Sequence, residues 1–228
     1  MKYLSVILVI FFLPTARVNG QQIMVETGKS ITSFDFNDVQ SVALSNLQST
    51  TQGYISFGYR HKLVKETLFL VAGGSVNSYG AKGSDNSQNY YAWETTYLGL
   101  NAGLDVKVAE LGNMLLTLRV TASPEFIIQG TQTLNNQVFN IVGEEDFDKV
   151  NLFLRAGAMV EYSLTYATSL FAQYKYGKST QLRSPSLNDV QGKLKLQAHD
   201  IGFGLMIKLD PKNARKFRQK ARKANMRK

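Results

Sequence analysis

The sequence predicts an all-β protein, a single antiparallel barrel of eight strands that crosses a membrane, and three observations predict it. Apolar and polar residues alternate with a period of two through segment after segment. These segments run to roughly 10 to 14 residues, longer than the usual 5 to 6 of soluble sheets and close to the ~10 that a tilted strand needs to cross a bilayer. The connections between them are short and long in turn, without a break. A soluble sandwich would hide the apolar face of each strand in a core. Strand length and connection pattern together turn that face outward, toward lipid.

Ahead of the barrel, residues 1–20 read as a processing signal. Lys2 gives a positive start, residues 3–13 form an apolar run, and Val18, Asn19 and Gly20 precede a cut that leaves Gln21 at the mature N-terminus. The run is about half the ~20 residues that span a bilayer, so cleavage rather than anchoring is expected.

The strands are expected at 23–36, 52–63, 67–79, 93–109, 114–129, 150–163, 168–177 and 194–209. The first has the faintest pattern. In the second, Ile55, Phe57, Tyr59 and Leu63 oppose Ser56, Gly58, Arg60 and Lys62. The third is apolar on both faces from 68 to 72, which leaves its orientation open. In the fourth, Leu98, Leu100, Ala102, Leu104, Val106 and Val108 oppose Tyr97, Gly99, Asn101, Gly103, Asp105 and Lys107. The fifth sets Leu116, Leu118, Val120 and Ala122 against Thr117, Arg119, Thr121, Ser123 and Glu125. The sixth sets Leu152, Leu154, Ala156, Ala158, Val160 and Tyr162 against Asn151, Phe153, Arg155, Gly157, Met159 and Glu161. The last opposes Ile201, Phe203, Leu205, Ile207 and Leu209 to Asp200, Gly202, Gly204, Met206 and Lys208. Short turns fall near 63–66, 110–113 and 164–168, and long polar connections near 37–51, 80–91, 130–149 and 178–193. Three short and four long connections imply eight strands, with both ends of the 21–210 body on the periplasmic side.

The inward faces collect charge of both signs: Arg60, Asp105, Lys107, Arg119, Glu125, Arg155, Glu161 and Asp200, with Lys62, Lys175 and Lys208 beside them. An eight-stranded barrel is just wide enough for side chains to fill it, and buried charges must be paired. The expectation is a plug of ion pairs that closes the lumen.

Net charge needs dividing before it is interpreted. The chain carries 26 lysines and arginines against 17 acids, a net of +9 with pI near 9.6. Lys2 and Arg17 leave with the signal, and nine basic residues lie in 211–228, which holds no acid. The body at 21–210 keeps 15 basic and 17 acidic residues, a net of −2. The basic character belongs to the tail, and an exported chain has little occasion to meet nucleic acid. No cysteine is present, so neither disulfides nor a thiolate metal site are expected. No metal-ligand spacing, phosphate-binding glycine loop or nucleophile elbow occurs either, and no cofactor is expected.

Between the strands, Tyr90, Tyr91 and Trp93 fit an interfacial aromatic girdle. Glu144, Glu145, Asp146 and Asp148 offer oxygens to a calcium ion, though a solvated loop accounts for them as well. Residues 135–142 (NNQVFNIV) form an apolar patch, a further strand turn or a contact surface. In the tail at 211–228, Asp210 can cap a helix with Pro211 in its first turn. Ala214, Phe217, Ala221 and Ala224 then share one face, and lysines and arginines fill the rest. Helical or disordered, this tail offers Arg215, Phe217, Arg218 and Arg222 to a periplasmic partner or to anionic lipid.

The chain as a whole resembles the small eight-stranded outer-membrane barrels of the OmpX and OmpA-membrane-domain type, over about 21–210. It also resembles the PorT-like barrels of Bacteroidota, whose mature chains often begin with Gln, as Gln21 would. The PorT-like resemblance implies a non-enzymatic accessory or scaffold subunit in the outer membrane, contacting lipids and protein partners of an envelope complex for export or membrane-protein assembly. The OmpX-type resemblance implies a stand-alone surface barrel for adhesion or envelope integrity. A third implication, from small barrels that modify lipid A, would draw on His199 and Asp200. Alternation puts those two side chains on opposite faces, and no His-x-Ser pattern follows.

Overall fold

The computed structural model describes residues 21–37, 47–64, 67–84, 89–143, 150–181 and 193–209. The leader at 1–20 and the basic tail, with Arg215, Phe217, Arg218 and Arg222, lie outside the described residues. The elements are β1 (Gln21–Asn37), β2 (Gln48–Val64), β3 (Leu68–Ser84), β4 (Tyr90–Leu111), β5 (Met114–Leu134), β6 (Gln137–Asn140), β7 (Asn151–Ser163), β8 (Thr168–Gln181) and β9 (Lys193–Lys208).

Eight of them close a ring in the order β4-β3-β2-β1-β9-β8-β7-β5, with β5 pairing back onto β4. Every neighbouring pair is antiparallel. The first and last strands pair along their whole length, from Gln22 opposite Lys208 to Asn37 opposite Lys193. Closure leaves no backbone edge around the ring, which a bilayer requires. The connections β2–β3, β4–β5 and β7–β8 are tight and share one end of the barrel with Gln21 and Leu209. At the β4–β5 turn, Gly112 takes φ +59° at the first central position, the glycine-first pattern of a type II′ hairpin.

Several strands run further than the alternation reaches. The β3–β4 ladder continues to Ser84 opposite Tyr90, and β4–β5 to Tyr91 opposite Leu134. Past the apolar belt both faces of a ribbon meet water, so the period-two signal fades while backbone pairing goes on. Much of the expected loop at 80–91 is therefore hairpin. The patch at 135–142 proves to be a strand turn. Asn135 and Asn136 adopt φ +47° and +70°, the pattern of a type I′ turn. The chain then returns as β6, paired with 131–134.

Register also orients the third strand. Val71 lies opposite the inward Arg60, so Phe69 and Val71 face inside at 5% and 4% exposure, while Leu70 faces out at 44%. A bulge in β5 at Ile128 shifts the phase: Ile127 below it keeps the inward phase of Glu125, and above it Gly130 rather than Gln129 turns inward.

The inside is packed in two apolar clusters. One, toward the long loops, gathers Phe34, Tyr79, Ala81, Tyr97, Phe153, Leu196 and Ala198. The other, toward the tight turns, gathers Met24, Val71, Met159, Phe171 and Met206. Outside, leucine, isoleucine, valine and phenylalanine stand exposed on strand after strand, among them Leu100, Val120, Leu154 and Phe203. On β4 this apolar row runs from Leu98 to Val108, about 35 Å of strand, which at a ~45° tilt covers a ~25 Å hydrocarbon band. In water such a belt would far exceed the few hundred Å² of apolar patch that soluble monomers expose.

One expectation is corrected. Trp93 and Tyr91 stack on each other at 5.7 Å, but Trp93 packs against Phe34 and the inner cluster rather than forming an outer girdle. The reason is phase: Trp93 lies opposite the fully buried Ala81, and both face inside. Trp93 is the only tryptophan in the chain. Its fluorescence is therefore expected to resist quenching by lipids brominated along their acyl chains. Strong quenching would place it at the outer surface instead.

Candidate functional site

The inward side chains meet in a charge network that runs through the barrel, and every strand of the ring contributes to it. Toward the tight turns, Asp105 of β4 accepts two hydrogen bonds from Arg119 of β5, at 2.7 Å from Nε and 2.8 Å from Nη2. Arg60 of β2 approaches the same carboxylate, Nε to Oδ2 2.9 Å, and sends Nη1 to Glu161 of β7 at 3.3 Å. The Nε–Asp105 contact is an ion pair without hydrogen-bond alignment, and Arg60 Nη2 has no hydrogen-bond partner among the described residues. Arg60 also lies over the Phe69 ring at 3.9 Å, a stacking that a guanidinium tolerates better than an ammonium. Gln22 of β1 accepts from Arg60 at 3.2 Å, Gln173 of β8 from Arg119 at 3.3 Å, and Lys208 of β9 stands 3.7 Å from Glu161.

A second knot centres on Arg155 of β7. Its Nη2 reaches Glu125 at 2.8 Å and the Tyr79 hydroxyl at 2.5 Å, and its Nε reaches Asp200 at 3.2 Å. Tyr79 donates to Glu125 Oε2 at 2.7 Å, Asn77 to Glu125 Oε1 at 2.9 Å, and Ser30 to Asp200 Oδ1 at 2.6 Å. Small residues make room for these side chains: a Cβ on Gly177 would lie 2.7 Å from Arg155 Cγ, and one on Gly99 would lie 3.3 Å from Glu125 Cγ.

Between the knots, Glu26 of β1 pairs with Lys175 at 3.3 Å and accepts hydrogen bonds from Tyr54 and Ser56. Lys175 also sits over the Tyr54 ring, 4.7 Å from its centre. Gly202 leaves the space that the Tyr54–Glu26 pair fills, since a Cβ there would fall within 2.5 Å of Glu26 Oε1. A cavity of about 40 Å³ lies alongside, lined by Glu26, Tyr54, Arg119, Arg155 and Lys175 together with Met24 and Val71. That is room for two or three ordered waters.

Among the described residues the inward ion pairs join five cations (Arg60, Arg119, Arg155, Lys175, Lys208) to five acids (Glu26, Asp105, Glu125, Glu161, Asp200). Charge balance matters because an unpaired ion in a low-dielectric interior carries a penalty of several kcal/mol. Arg60, Asp105 and Glu125 are fully buried, and Phe153, Met159 and Met206 fill the space beside them. Apart from that cavity, side chains fill the described lumen.

Of the eleven inward charges read from the sequence, nine stand in this network. Lys107 instead pairs with Glu110 beside the β4–β5 turn, a quarter exposed. Alternation overlooked Glu26, Tyr54 and Tyr79. Glu26 sits on the strand with the faintest pattern, and its signal was only that it shares a phase with Met24 and Ser30. His199 and Asp200 do not combine. Asp200 is buried inside with Ser30 and Arg155, whereas His199 is exposed outside and bonded to Tyr174. The acidic residues at 144–148 lie outside the described residues; among those described, no cluster of metal-ligating residues occurs.

No family model and no curated protein sequence matches the chain. Solved structures of membrane barrels resemble it at low identity. Neisserial surface protein A is 11% identical, with 84% of this chain and 98% of that one aligned at a TM-score of 0.45. OprG from Pseudomonas aeruginosa is 11% identical over 82% and 96% of the two chains, at 0.45. The outer membrane protease OmpT from Escherichia coli is 8% identical over 83% and 97%, at 0.46. Apolar outside, ion-paired inside and closed through eight antiparallel strands, the chain has the fold of the small eight-stranded outer-membrane barrels.

Proposed function

We propose that this protein is a plugged barrel of the outer membrane that holds binding surfaces at its two ends, as an accessory or scaffold subunit of an envelope complex for protein export or outer-membrane protein assembly. The observation that carries the reading is the filled interior. A lumen closed by buried, charge-balanced side chains leaves the rim and the tail as the places where the protein meets other molecules. Gln21 and Leu209 meet at the tight-turn end; the sequence runs on from Leu209 into the basic tail, which on this reading offers Arg215, Phe217, Arg218 and Arg222 to a partner or to anionic lipid. The reading assigns that end to the periplasm.

A stand-alone surface barrel is the second reading, and one observation favours it. The β5–β6 hairpin carries Val138, Phe139 and Val142 at 66%, 46% and 40% exposure, apolar groups raised past the belt where an adhesive contact would need them.

Purification in mild detergent from native membranes, full-length beside a version ending at Asp210, separates the two. Stoichiometric partners that vanish with the tail are expected for the scaffold. A lone barrel in both preparations would favour the surface protein. The barrel itself is checked on SDS gels, where the unheated sample should run faster than the boiled one; equal mobility would count against a folded barrel.

A further inference from the structure

Lysine is an awkward residue on the lipid-facing surface of a barrel, yet two stand on one sector of this one. Lys29 of β1 and Lys178 of β8 lie on the outward phase of their strands, both exposed. Between these strands runs β9, with His199 exposed on the same face. His199 lies opposite Tyr176 on one side and Ile31 on the other. Lys178 lies opposite Gln197, and Lys29 opposite Ile201. Each lysine is therefore a diagonal neighbour of the same imidazole, within reach of a shared ligand.

The imidazole is held in place. Its Nδ1 is 2.8 Å from the Tyr174 hydroxyl, and its ring packs on Tyr176 at 4.9 Å. Tyr176 in turn donates to Gln197 at 3.2 Å, and Lys178 Nζ lies 5.8 Å from the centre of the Tyr176 ring. On β9 the row below is wholly apolar, with Ile201, Phe203, Leu205 and Ile207 exposed, and the residue above, Gln197, is polar. On β8 and β9 the cluster thus stands at the edge of the belt on the long-loop side, where hydrocarbon gives way to headgroups, and on β1 Lys29 lies one step below the exposed Ile31.

On the far side of the ring an outward lysine has an acid beside it. Lys82 and Glu94 are diagonal neighbours across β3 and β4. On β8, β9 and β1 the outward side chains that are described include no acid. Two ammonium groups and an imidazole in one sector match one ligand chemistry, a phosphate monoanion or dianion, while the two phenols are engaged with His199 and Gln197.

We propose that this sector binds the phosphate of an anionic membrane lipid in the leaflet at the long-loop end. Lys29 and Lys178 neutralise the charge from either side. With Tyr174 donating to Nδ1, His199 carries its hydrogen on Nε2 and donates it to a phosphate oxygen. The proposal rests on the barrel standing in a bilayer, which the gel shift reports independently.

Native mass spectrometry of the mature full-length barrel, offered equal phosphatidylglycerol and phosphatidylcholine, tests it. The wild-type barrel is expected to retain phosphatidylglycerol preferentially. The double variant Lys29→Gln/Lys178→Gln is expected to hold it roughly 30-fold more weakly, about fivefold per lysine, with phosphatidylcholine unaffected. Lys82→Gln, outside the cluster, should leave retention unchanged. Wild-type barrel without the preference, or a double variant that keeps it, would overturn the proposal. So would binding of inorganic phosphate with no preference between the two lipids. Each variant is first checked for the gel shift, so that misfolding is not read as lost binding.

Discussion

Replacing Arg155 with alanine is expected to lower the stability of the barrel by about 3–5 kcal/mol. One guanidinium serves three groups, the carboxylates of Glu125 and Asp200 and the hydroxyl of Tyr79, and it covers the Phe153 ring at 4.2 Å. Removing it deprives two acids, at 0% and 4% exposure, of the cation with which each is ion-paired. Urea unfolding of the barrel in lipid vesicles, followed by the Trp93 signal, gives the measurement. Lysine at 155 is expected to recover only part of the loss, because an ammonium is a point charge and the site uses the fork of a guanidinium. Adding Glu125→Gln to Arg155→Ala should soften the defect, since one uncompensated charge disappears with it, and the two effects should not add. A loss under ~1 kcal/mol for Arg155→Ala would mean that water reaches the pair freely, and the plug would then have to be reread as a hydrated passage. The same variant therefore bears on function: if the interior closes the barrel, conductance in a planar bilayer should rise only when the plug is broken.

The second large effect is expected on the opposite face. Val120 is 59% exposed, and by the measure of a protein in water it is a surface residue whose replacement would change stability by no more than ~0.5 kcal/mol. It stands in the middle of the belt, opposite Leu104 on β4 and Ala156 on β7. In a bilayer Val120→Arg should cost about 2–4 kcal/mol, falling toward zero for arginines placed near either interface. The comparison is made by unfolding in vesicles, with Leu111→Arg beside the β4–β5 turn as the interfacial reference. A neutral Val120→Arg would contradict a lipid-facing belt. The depth dependence distinguishes a membrane cost from a defect in packing, because packing has no reason to follow height along the barrel.

Much of this was legible in one sequence because a barrel wall repeats a single rule. Lipid and lumen impose a period of two, so the outward rows on β4, β5, β7 and β9 and the inward charges from Arg60 to Asp200 are read directly from parity. Parity fails where either side of the wall stops differing from the other. That happened on β3, where Phe69 and Leu70 are both apolar and only pairing with β2 decides which is buried. It happened again past the belt, where β3, β4 and β5 continue as ladders between two watery faces. Phase errors belong to the same class: the bulge at Ile128 reverses inside and outside within one strand, and Trp93 faces inward although its neighbours suggest a girdle.

The sequence by itself determined the eight-stranded closure, the face that most alternating residues take and most of the charges sent inside, because these follow from a local period and from the spacing of turns; Glu26 and Lys107 are the exceptions. Only the tertiary structure decided the partners. Asp105 meets Arg60 and Arg119, Arg155 meets Glu125 and Asp200, and Glu26 meets Lys175, pairs up to 149 residues apart for the last of them. Those meetings depend on strand register and on which glycines leave space across the lumen, quantities that exist only once the ring has closed.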